Sequence, residues 1–314
     1  MRALVVERPG GPEALREREL AAPLPGPGQV VVAVEAAGVN PVDAGNRADP
    51  AWAGLRPPYV VGYELAGTVE AGGDGAGWRK GQAVWGLLPV RGTRWGTYAE
   101  RVALDASLVG PRPEGLSAVE AASLPLAGAT ALQLLDRLDP RPGEWILVHG
   151  AAGGVGSLFV QLARARGARV VASASARREA LLARLGAEVF LDRQAGDVAG
   201  RARRAVGRDL DMVADLVGHG TLAASLPVLR EGGRAGSIVE LAGDLELAID
   251  RNIALHGVLV RPGRAVLDAL AAEVGDGRLR PVVDQVLDLA DAATAHRRVE
   301  TGRGQGKVVL RVGG

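Results

Sequence analysis

The sequence predicts an α/β protein that combines a small β-barrel with a doubly wound parallel sheet. Residues 145–178 read as a strand, a glycine-rich turn, a helix and a second strand in immediate succession. Strand and helix patterns then alternate as far as residue 260, which is typical of a parallel sheet. Before residue 116 the chain instead shows closely spaced short strands with Gly and Pro turns, a pattern that favours a small barrel.

The turn between the first strand and the helix has the chemistry of a phosphate-binding site. The apolar strand Trp145–Val148 precedes it, and apolar residues recur at helical spacing after it. Gly153 allows a pyrophosphate to approach the backbone, while Gly156 lets the helix pack closely on the strand. Ala151 holds the usual first glycine position, so the flanking strand and helix support the prediction, and a glycine-rich turn of another α/β protein is the alternative. The predicted dinucleotide-binding residues of the turn are Ala152, Gly153, Gly154, Val155 and Gly156.

The end of the second strand indicates which dinucleotide binds. An NAD site places a carboxylate about 20 residues past the glycines, where it binds the ribose 2′-hydroxyl. Here that position is Ser173, and no acidic residue follows before Glu179. Arginines can bind a 2′-phosphate through paired, charge-assisted hydrogen bonds. The sequence therefore predicts NADPH, bound at this end by Ser173, Ser175, Arg177 and Arg178; a solvated helix start is the alternative for the two arginines.

Composition and charge limit the possible partners and chemistry. The chain has 314 residues and a formal net charge of +1, so neither a nucleic acid nor a membrane is expected as a partner. It has no cysteine, which excludes disulfides, thiolate catalysis and cysteine-based metal sites. No apolar run reaches transmembrane length, and the first residues become acidic too early for a signal peptide. We therefore expect a cytoplasmic protein.

The strands of the barrel follow one another at short intervals. Their patterns cover residues 2–7, 29–36, 59–61, 65–70, 83–86 and 98–102. Helical periodicity over residues 116–138 marks the boundary with the second domain.

The parallel sheet is predicted to continue after the dinucleotide-binding turn. Its later strands are residues 188–191, 211–216, 234–239 and 255–260, with helices over 197–206 and 221–229. After Pro262 come a helix, an extended segment 281–289, a second helix and a final strand 306–312, which we expect to complete the first domain. The predicted domains are therefore residues 1–117 with 263–314, and residues 118–262.

A series of motifs resembles the medium-chain dehydrogenase/reductase superfamily over nearly the whole chain. The motifs are, in order, GVNPVDAGNR, GYELAGTVEAGG, GTYAERV, LPLAGATAL, HGAAGGVG and GKVVLRV. They are most similar to the zinc-free quinone oxidoreductase branch, the group that contains zeta-crystallin. The resemblance implies a GroES-like catalytic domain, a Rossmann domain and a homodimer. It also places Thr130, in LAGATAL, near the nicotinamide.

The resemblance argues against a zinc site. Zinc-dependent relatives have a Cys where this chain has Asn40 and a His where it has Tyr63. Without that thiolate and imidazole, the tetrahedral site cannot be assembled. The cysteine-rich structural-zinc lobe is absent too. The histidines have no ligand spacing and are interpreted as structural; they are His149, His219, His256 and His296.

Without a metal, the reaction depends on the cofactor and on an acceptor that is already electrophilic. We expect Asn40 to donate a hydrogen bond to the acceptor's oxygen as negative charge develops there, and Tyr63 to do the same or to relay a proton. The alternatives are that Asn40 only caps a turn and that Tyr63 only packs. Asp43 and Arg47 also match the family motif, and for Asp43 we favour a structural role.

The acceptor pocket departs from the family at one position. Bacterial quinone reductases often have a tyrosine two residues after the motif's Asp, and here that residue is Gly45. Trp52, Leu55 and Trp95 are the predicted substrate-binding residues instead. The identity of the acceptor therefore does not follow from the branch alone.

Three functions are consistent with these observations. The favoured one is a zinc-independent, NADPH-dependent quinone oxidoreductase. The second is an NADPH-dependent alkene reductase that acts on an enone, an enal or an enoyl thioester. The third is an NADPH-binding protein without turnover, which no basic tract or aromatic stacking motif supports.

Overall fold

The computed structural model describes residues 1–312, so the last two residues of the predicted first domain lie outside the described residues. The chain forms two compact units. The first comprises Met1–Ala129, Arg261–Gly277 and the segment that begins at Pro281, and the second comprises Thr130–Val260 with Arg278–Arg280.

Strands occur in both units. In chain order they are β1 Arg2–Val6, β2 Leu15–Glu19, β3 Gln29–Val39, β4 Tyr59–Val60, β5 Glu64–Gly72, β6 Ala83–Leu87, β7 Arg101–Asp105, β8 Val109–Pro111, β9 Trp145–His149, β10 Arg169–Ala174, β11 Val189–Asp192, β12 Leu210–Asp215, β13 Leu229–Ser237, β14 Ala254–Gly257, β15 Val283–Asp288 and β16 Lys307–Arg311.

The α-helices are mostly short. In chain order they are α1 Pro41–Ala48, α2 Ala118–Ala122, α3 Pro125–Leu138, α4 Gly154–Ala165, α5 Glu179–Leu185, α6 Val198–Val206, α7 Thr221–Ser225, α8 Leu247–Asp250, α9 Arg264–Gly275 and α10 Ala292–Glu300. None of the described helices is long and apolar enough to cross a bilayer.

The first unit is built on a mainly antiparallel sheet. Its strand order is β15-β16-β3-β5-β6-β8, with β7 also paired to β3, and a smaller sheet has the order β2-β1-β4. Strand β16, near the C-terminus, pairs antiparallel with β3 and so belongs to this unit. The unit extends past residue 117 because α2 packs against β3 and β5.

The second unit contains a six-stranded parallel sheet. Its strand order is β11-β10-β9-β12-β13-β14, so the chain reverses its direction of winding between β9 and β12. Apolar residues of β9, β10 and β12 that pack in its core include Leu147, Val171 and Val213. The predicted fold class, a barrel-type domain combined with a doubly wound parallel sheet, is confirmed.

The prediction missed helix α1. Its eight residues include a glycine and an asparagine, both poor helix formers, so the local pattern does not indicate a helix. Its start nevertheless has two helix signals. Pro41 occupies the first helical position, and the Asp43 carboxylate accepts a hydrogen bond from the Asn40 backbone N–H at 2.6 Å.

Candidate active site

The predicted dinucleotide-binding turn connects β9 to α4 in the second unit. Gly153 is the N-cap of α4, and its N–H donates to the Gly150 carbonyl at 3.0 Å. A Cβ at Gly156 would lie 2.3 Å from the Gly150 oxygen, so only glycine fits there. A Cβ at Gly153 would come no closer than 3.4 Å to the protein. Gly156 is therefore required by the fold, while the space at Gly153 is left for a ligand.

The residues predicted to bind the 2′-phosphate follow one another at the carboxyl end of β10. Ser173 is buried, and its carbonyl accepts from the Ala151 N–H at 3.1 Å, which ties this strand end to the turn. Ser175 precedes a short 3-10 helix in which the Arg178 N–H donates to the Ser175 carbonyl. Arg177 is exposed and Arg178 half-buried. The structure thus brings the two predicted groups of cofactor residues to neighbouring strand ends.

Thr130 and His149 are also in the second unit, and both are buried. Thr130 lies in α3 and is buried. His149 ends β9, and its Nε2 lies 2.9 Å from the Ser225 hydroxyl, which itself donates to the Thr221 carbonyl. Burial lowers the pKa of His149 to about 4, so the ring is neutral at pH 7. A buried, neutral, hydrogen-bonded ring fits the structural interpretation.

Asn40 is held by a buried ion pair in the first unit. Its Nδ2 donates to Glu64 Oε1 at 2.8 Å, and the Lys307 ammonium donates to its Oδ1. Lys307 Nζ also lies 2.6 Å from Glu64 Oε1, with side-chain exposures of 4% and 0%. The orientation of the Asn40 amide is therefore fixed, and one of its two N–H donors has no part in the Glu64 bond.

Tyr63 is fully buried. Its hydroxyl accepts a hydrogen bond from Asn46 Nδ2 at 2.6 Å, and the second donor of that amide goes to the Val90 carbonyl at 3.0 Å. Burial raises the pKa of the Tyr63 phenol well above its usual value. The phenol thus stays protonated, and its polar contact with the surroundings is made through Asn46.

A cavity of about 320 Å³ lies beside α1. It is lined by Val42, Gly45, Asn46, Asp49 and Trp52. Of the three residues predicted to bind the substrate, Trp52 lines this cavity. Leu55 and Trp95 do not: Leu55 is buried, and the half-exposed Trp95 is bridged to Val60.

A second buried polar chain connects α1 to α10. The Tyr98 hydroxyl donates to Asp43 Oδ2 at 3.1 Å, and His296 Nε2 lies 3.2 Å from the Tyr98 oxygen. Arg47 donates to His296 Nδ1 at 3.1 Å and pairs with Glu300 at 2.6 Å. Burial raises the pKa of Asp43 to about 7 and lowers that of His296 to about 3. Asp43 and Arg47 therefore join elements that are distant in sequence, which fits the structural role favoured for Asp43.

Comparison with known proteins identifies the family. Two family models match: an alcohol dehydrogenase GroES-like domain over residues 26–114, and a zinc-binding dehydrogenase over residues 185–310. The quinone oxidoreductase of Sus scrofa is 32% identical over 328 aligned positions, which cover 99% of this chain and 97% of that protein. The chain belongs to the medium-chain dehydrogenase/reductase superfamily. It is an oxidoreductase of the zinc-free, quinone oxidoreductase-like branch, and the predicted family is confirmed.

Two other members show the range of activities within the superfamily. The 2-methylene-furan-3-one reductase of Solanum lycopersicum is 34% identical, and the alignment covers 90% of this chain and 71% of that protein. A solved structure described as an NAD-dependent alcohol dehydrogenase superposes with a TM-score of 0.93 at 33% identity and covers all of both chains. The second unit of this oxidoreductase is accordingly a nicotinamide dinucleotide-binding domain.

The names of the two family models, a zinc-binding dehydrogenase and an alcohol dehydrogenase domain, raise the question of a zinc site in this chain. This oxidoreductase has an amide and a phenol, Asn40 and Tyr63, where zinc-dependent members have a thiolate and an imidazole. Within residues 1–312, no three His, Cys, Asp or Glu side chains are grouped so that they could hold a metal ion.

Sequence reasoning missed two residues of this site, Asn46 and Lys307. Asn46 had a usable signal, because it follows Asp43 at helical spacing and lies in the motif GVNPVDAGNR. Lys307 also lies in a motif, but its pairing with Glu64 spans 243 residues. No local pattern predicts a contact of that range.

Proposed function

We propose that this oxidoreductase transfers a hydride from NADPH to a quinone without the help of a metal. The observation that carries the proposal is the pair of buried side chains at the two zinc-ligand positions, Asn40 and Tyr63. Neither side chain offers Zn²⁺ a thiolate or an imidazole. An acceptor that is electrophilic without a metal, such as a quinone, suits these residues best.

The residues of the β9–α4 turn fit the diphosphate of a dinucleotide. Gly153 leaves the backbone accessible, and the N-terminus of α4, a helix of twelve residues, would offer its first N–H groups and the positive end of its dipole to a phosphate. When bound, NADPH supplies the hydride. The contribution of these residues is to hold the phosphates and to fix the position of the cofactor.

Ser173, Arg177 and Arg178 support NADPH over NADH. The buried Ser173 places no carboxylate against a 2′-phosphate, and two guanidinium groups follow within five residues. We expect tighter binding of NADPH than of NADH in fluorescence titrations, and a preference about tenfold smaller in Arg178→Ala. Arg184→Ala, in the same region but on α5, is the matched control. Equal affinity of the parent for the two cofactors would refute the assignment.

Asn40 supports the acceptor half of the reaction. Lys307 and Glu64 hold its amide in one orientation, and one N–H is left to stabilise a developing oxyanion on the acceptor. Tyr63 is separated from the cavity by Asn46, so we assign it the positioning of that amide. Asn40→Ala should therefore lower kcat more than Tyr63→Phe does.

The decisive experiment is NADPH oxidation in the presence of a chelator, with a quinone, a small enone and an enoyl thioester as acceptors. We expect turnover of the quinone and no loss of rate on chelation. Loss of activity on chelation, with recovery when zinc is added, would contradict the proposal.

The second candidate function is reduction of an activated alkene. It is favoured by the similarity to the 2-methylene-furan-3-one reductase, whose name describes a conjugated ketone as substrate. Turnover of the enone or the thioester without the quinone would establish this function in place of the first.

A further inference from the structure

Gly45 has no structural reason to be a glycine. It is the fifth of the eight residues of α1, and it is exposed. It does not adopt a positive φ angle, and a Cβ built on it meets no atom within 4 Å. A glycine in a helix destabilises it relative to alanine. The missing side chain therefore weakens α1 without relieving any clash, and what it provides is space.

That space belongs to the cavity beside α1. The cavity volume of about 320 Å³ is near the lower limit of small-molecule pockets, which range from about 300 to 1,000 Å³. One wall is the indole of Trp52, which is 46% exposed. Arg91 holds this loop, since its Nε donates to the Trp52 carbonyl at 3.0 Å and its guanidinium lies 5.0 Å from the ring centroid. A large aromatic surface of this kind is suited to a planar ring.

The polar groups of the cavity accept hydrogen bonds. Both N–H donors of the Asn46 amide are used by Tyr63 and Val90, so the group that it has left for a ligand is Oδ1. Asp49, the other polar lining residue, is an exposed carboxylate whose Oδ1 already accepts from the Ala51 N–H. A ligand with a hydroxyl or amino group is favoured here, while an anionic ligand is repelled.

We propose that Gly45 determines the specificity of this cavity, and that the cavity takes the ring of a fused-ring quinone bearing a hydroxyl or amino substituent. The proposal rests on the proposed function and narrows its substrate class. A side chain at position 45 would fill the space that the second ring occupies. A single-ring quinone does not need that space.

The test compares the parent with Gly45→Ala, Gly45→Leu and the control Gly275→Ala, which changes another exposed helical glycine with an open Cβ position. For each protein kcat/KM is measured with 1,4-benzoquinone and 1,4-naphthoquinone. Gly45→Leu should lower the value for naphthoquinone about tenfold or more relative to benzoquinone, with Gly45→Ala intermediate. Gly275→Ala should match the parent. Melting temperatures check folding, and Gly45→Ala should melt no lower than the parent.

The substituent is tested with 6-(hydroxymethyl)-1,4-naphthoquinone and its methyl ether, which are both uncharged and differ in the hydrogen-bond donor. The parent should prefer the hydroxyl compound by about threefold to tenfold in KM. No preference, or a preference for the ether, overturns the assignment of the substituent.

The proposal and the proposed function fail in different ways. An equal loss for both ring sizes in Gly45→Leu, or the same loss in Gly275→Ala, overturns the role of Gly45. If the parent reduces no quinone, the proposed function is wrong. The role of Gly45 is then tested by the ratio of kcat/KM for 4-phenyl-3-buten-2-one to that for cyclohexenone, in the parent and in Gly45→Leu. The Kd of naphthoquinone for the cofactor-free protein can be measured whether or not the protein turns over. A Kd that is unchanged in Gly45→Leu also overturns the proposal.

Discussion

Removing the Lys307 ammonium should destabilise the first unit strongly. Lys307 has 4% and Glu64 0% of its side chain exposed, and the ion pair between them is 2.6 Å long. In Lys307→Met the Glu64 carboxylate stays buried with only the neutral donors of Asn40 and Leu126. Breaking a buried pair by removal of one partner costs about 3–5 kcal/mol, because the remaining charge is uncompensated.

The magnitude converts into a measurable melting shift. For a unit of about 150–250 residues, 1 kcal/mol corresponds to roughly 2–4 °C in Tm. Calorimetry of Lys307→Met should therefore show a transition lower by about 6–20 °C. Arg18→Met is the matched control, since the Arg18–Glu7 pair has side-chain exposures of 47% and 50% and should matter little.

A double-mutant cycle separates the lost charge pair from lost packing. Glu64→Gln with Lys307→Met removes both charges of this pair, so its loss of stability should be smaller than the sum of the two single losses by about 2 kcal/mol or more. Strict additivity, or a loss in Lys307→Met no larger than that in Arg18→Met, would refute the reasoning.

Three more predictions concern the cofactor turn, the buried carboxyl and subunit association. Gly153→Ala should leave Tm unchanged and weaken cofactor binding. Gly156→Ala should lower Tm as well as cofactor affinity, because its Cβ would lie 2.3 Å from a backbone oxygen. Equal losses of Tm in the two variants would contradict this. Burial raises the pKa of Asp43 from 3.8 to about 7, so its contribution to stability is present below pH 4 and is lost as pH rises to 7. The free energy of unfolding, measured at several pH values, should therefore rise in Asp43→Asn relative to the parent between pH 4 and pH 7. A difference that does not change with pH would refute this prediction. The predicted homodimer has a candidate surface at the edge strand β14, near the exposed side chains of Leu241 and Leu259. Leu259→Asp should therefore lower the molecular mass measured by light scattering. A dimer that is unchanged in this variant would exclude this edge as the interface.

The sequence predicts the second unit well because its signals are local. The apolar strand Trp145–Val148, the glycines of the turn and the helical periodicity after them lie within one continuous segment. Gly156 is an example: the motif predicts that only glycine allows close packing at this position, and in the structure a Cβ there would lie 2.3 Å from the Gly150 oxygen. Helix α1 was missed because Gly45 and Asn46 lower its helix propensity, while tertiary contacts of Asp43 and Arg47 stabilise it.

The acceptor side could be predicted only in part. The motif gave Asn40 and Tyr63 as candidates, and the resemblance to the family implies that they replace zinc ligands. That Asn46 separates Tyr63 from the cavity depends on a bond across 17 residues, and periodicity carries no information on such contacts. Leu55 and Trp95 were named as substrate-binding residues without a local signal, and aromatic or apolar character alone does not distinguish a pocket wall from a packed or edge position.

The C-terminal strand links the architecture to the proposed chemistry. Glu64 follows Tyr63 directly and is buried, and a buried carboxylate needs a positive charge to compensate it. Lys307 provides that cation from β16, which reaches this position because it pairs antiparallel with β3 and aligns Val308 with Val39. Its ammonium contacts the Val39 carbonyl, the Asn40 amide and the Glu64 carboxylate together. The last strand therefore does more than close the sheet: it compensates the buried charge and fixes the amide to which the proposed function assigns the acceptor's oxygen.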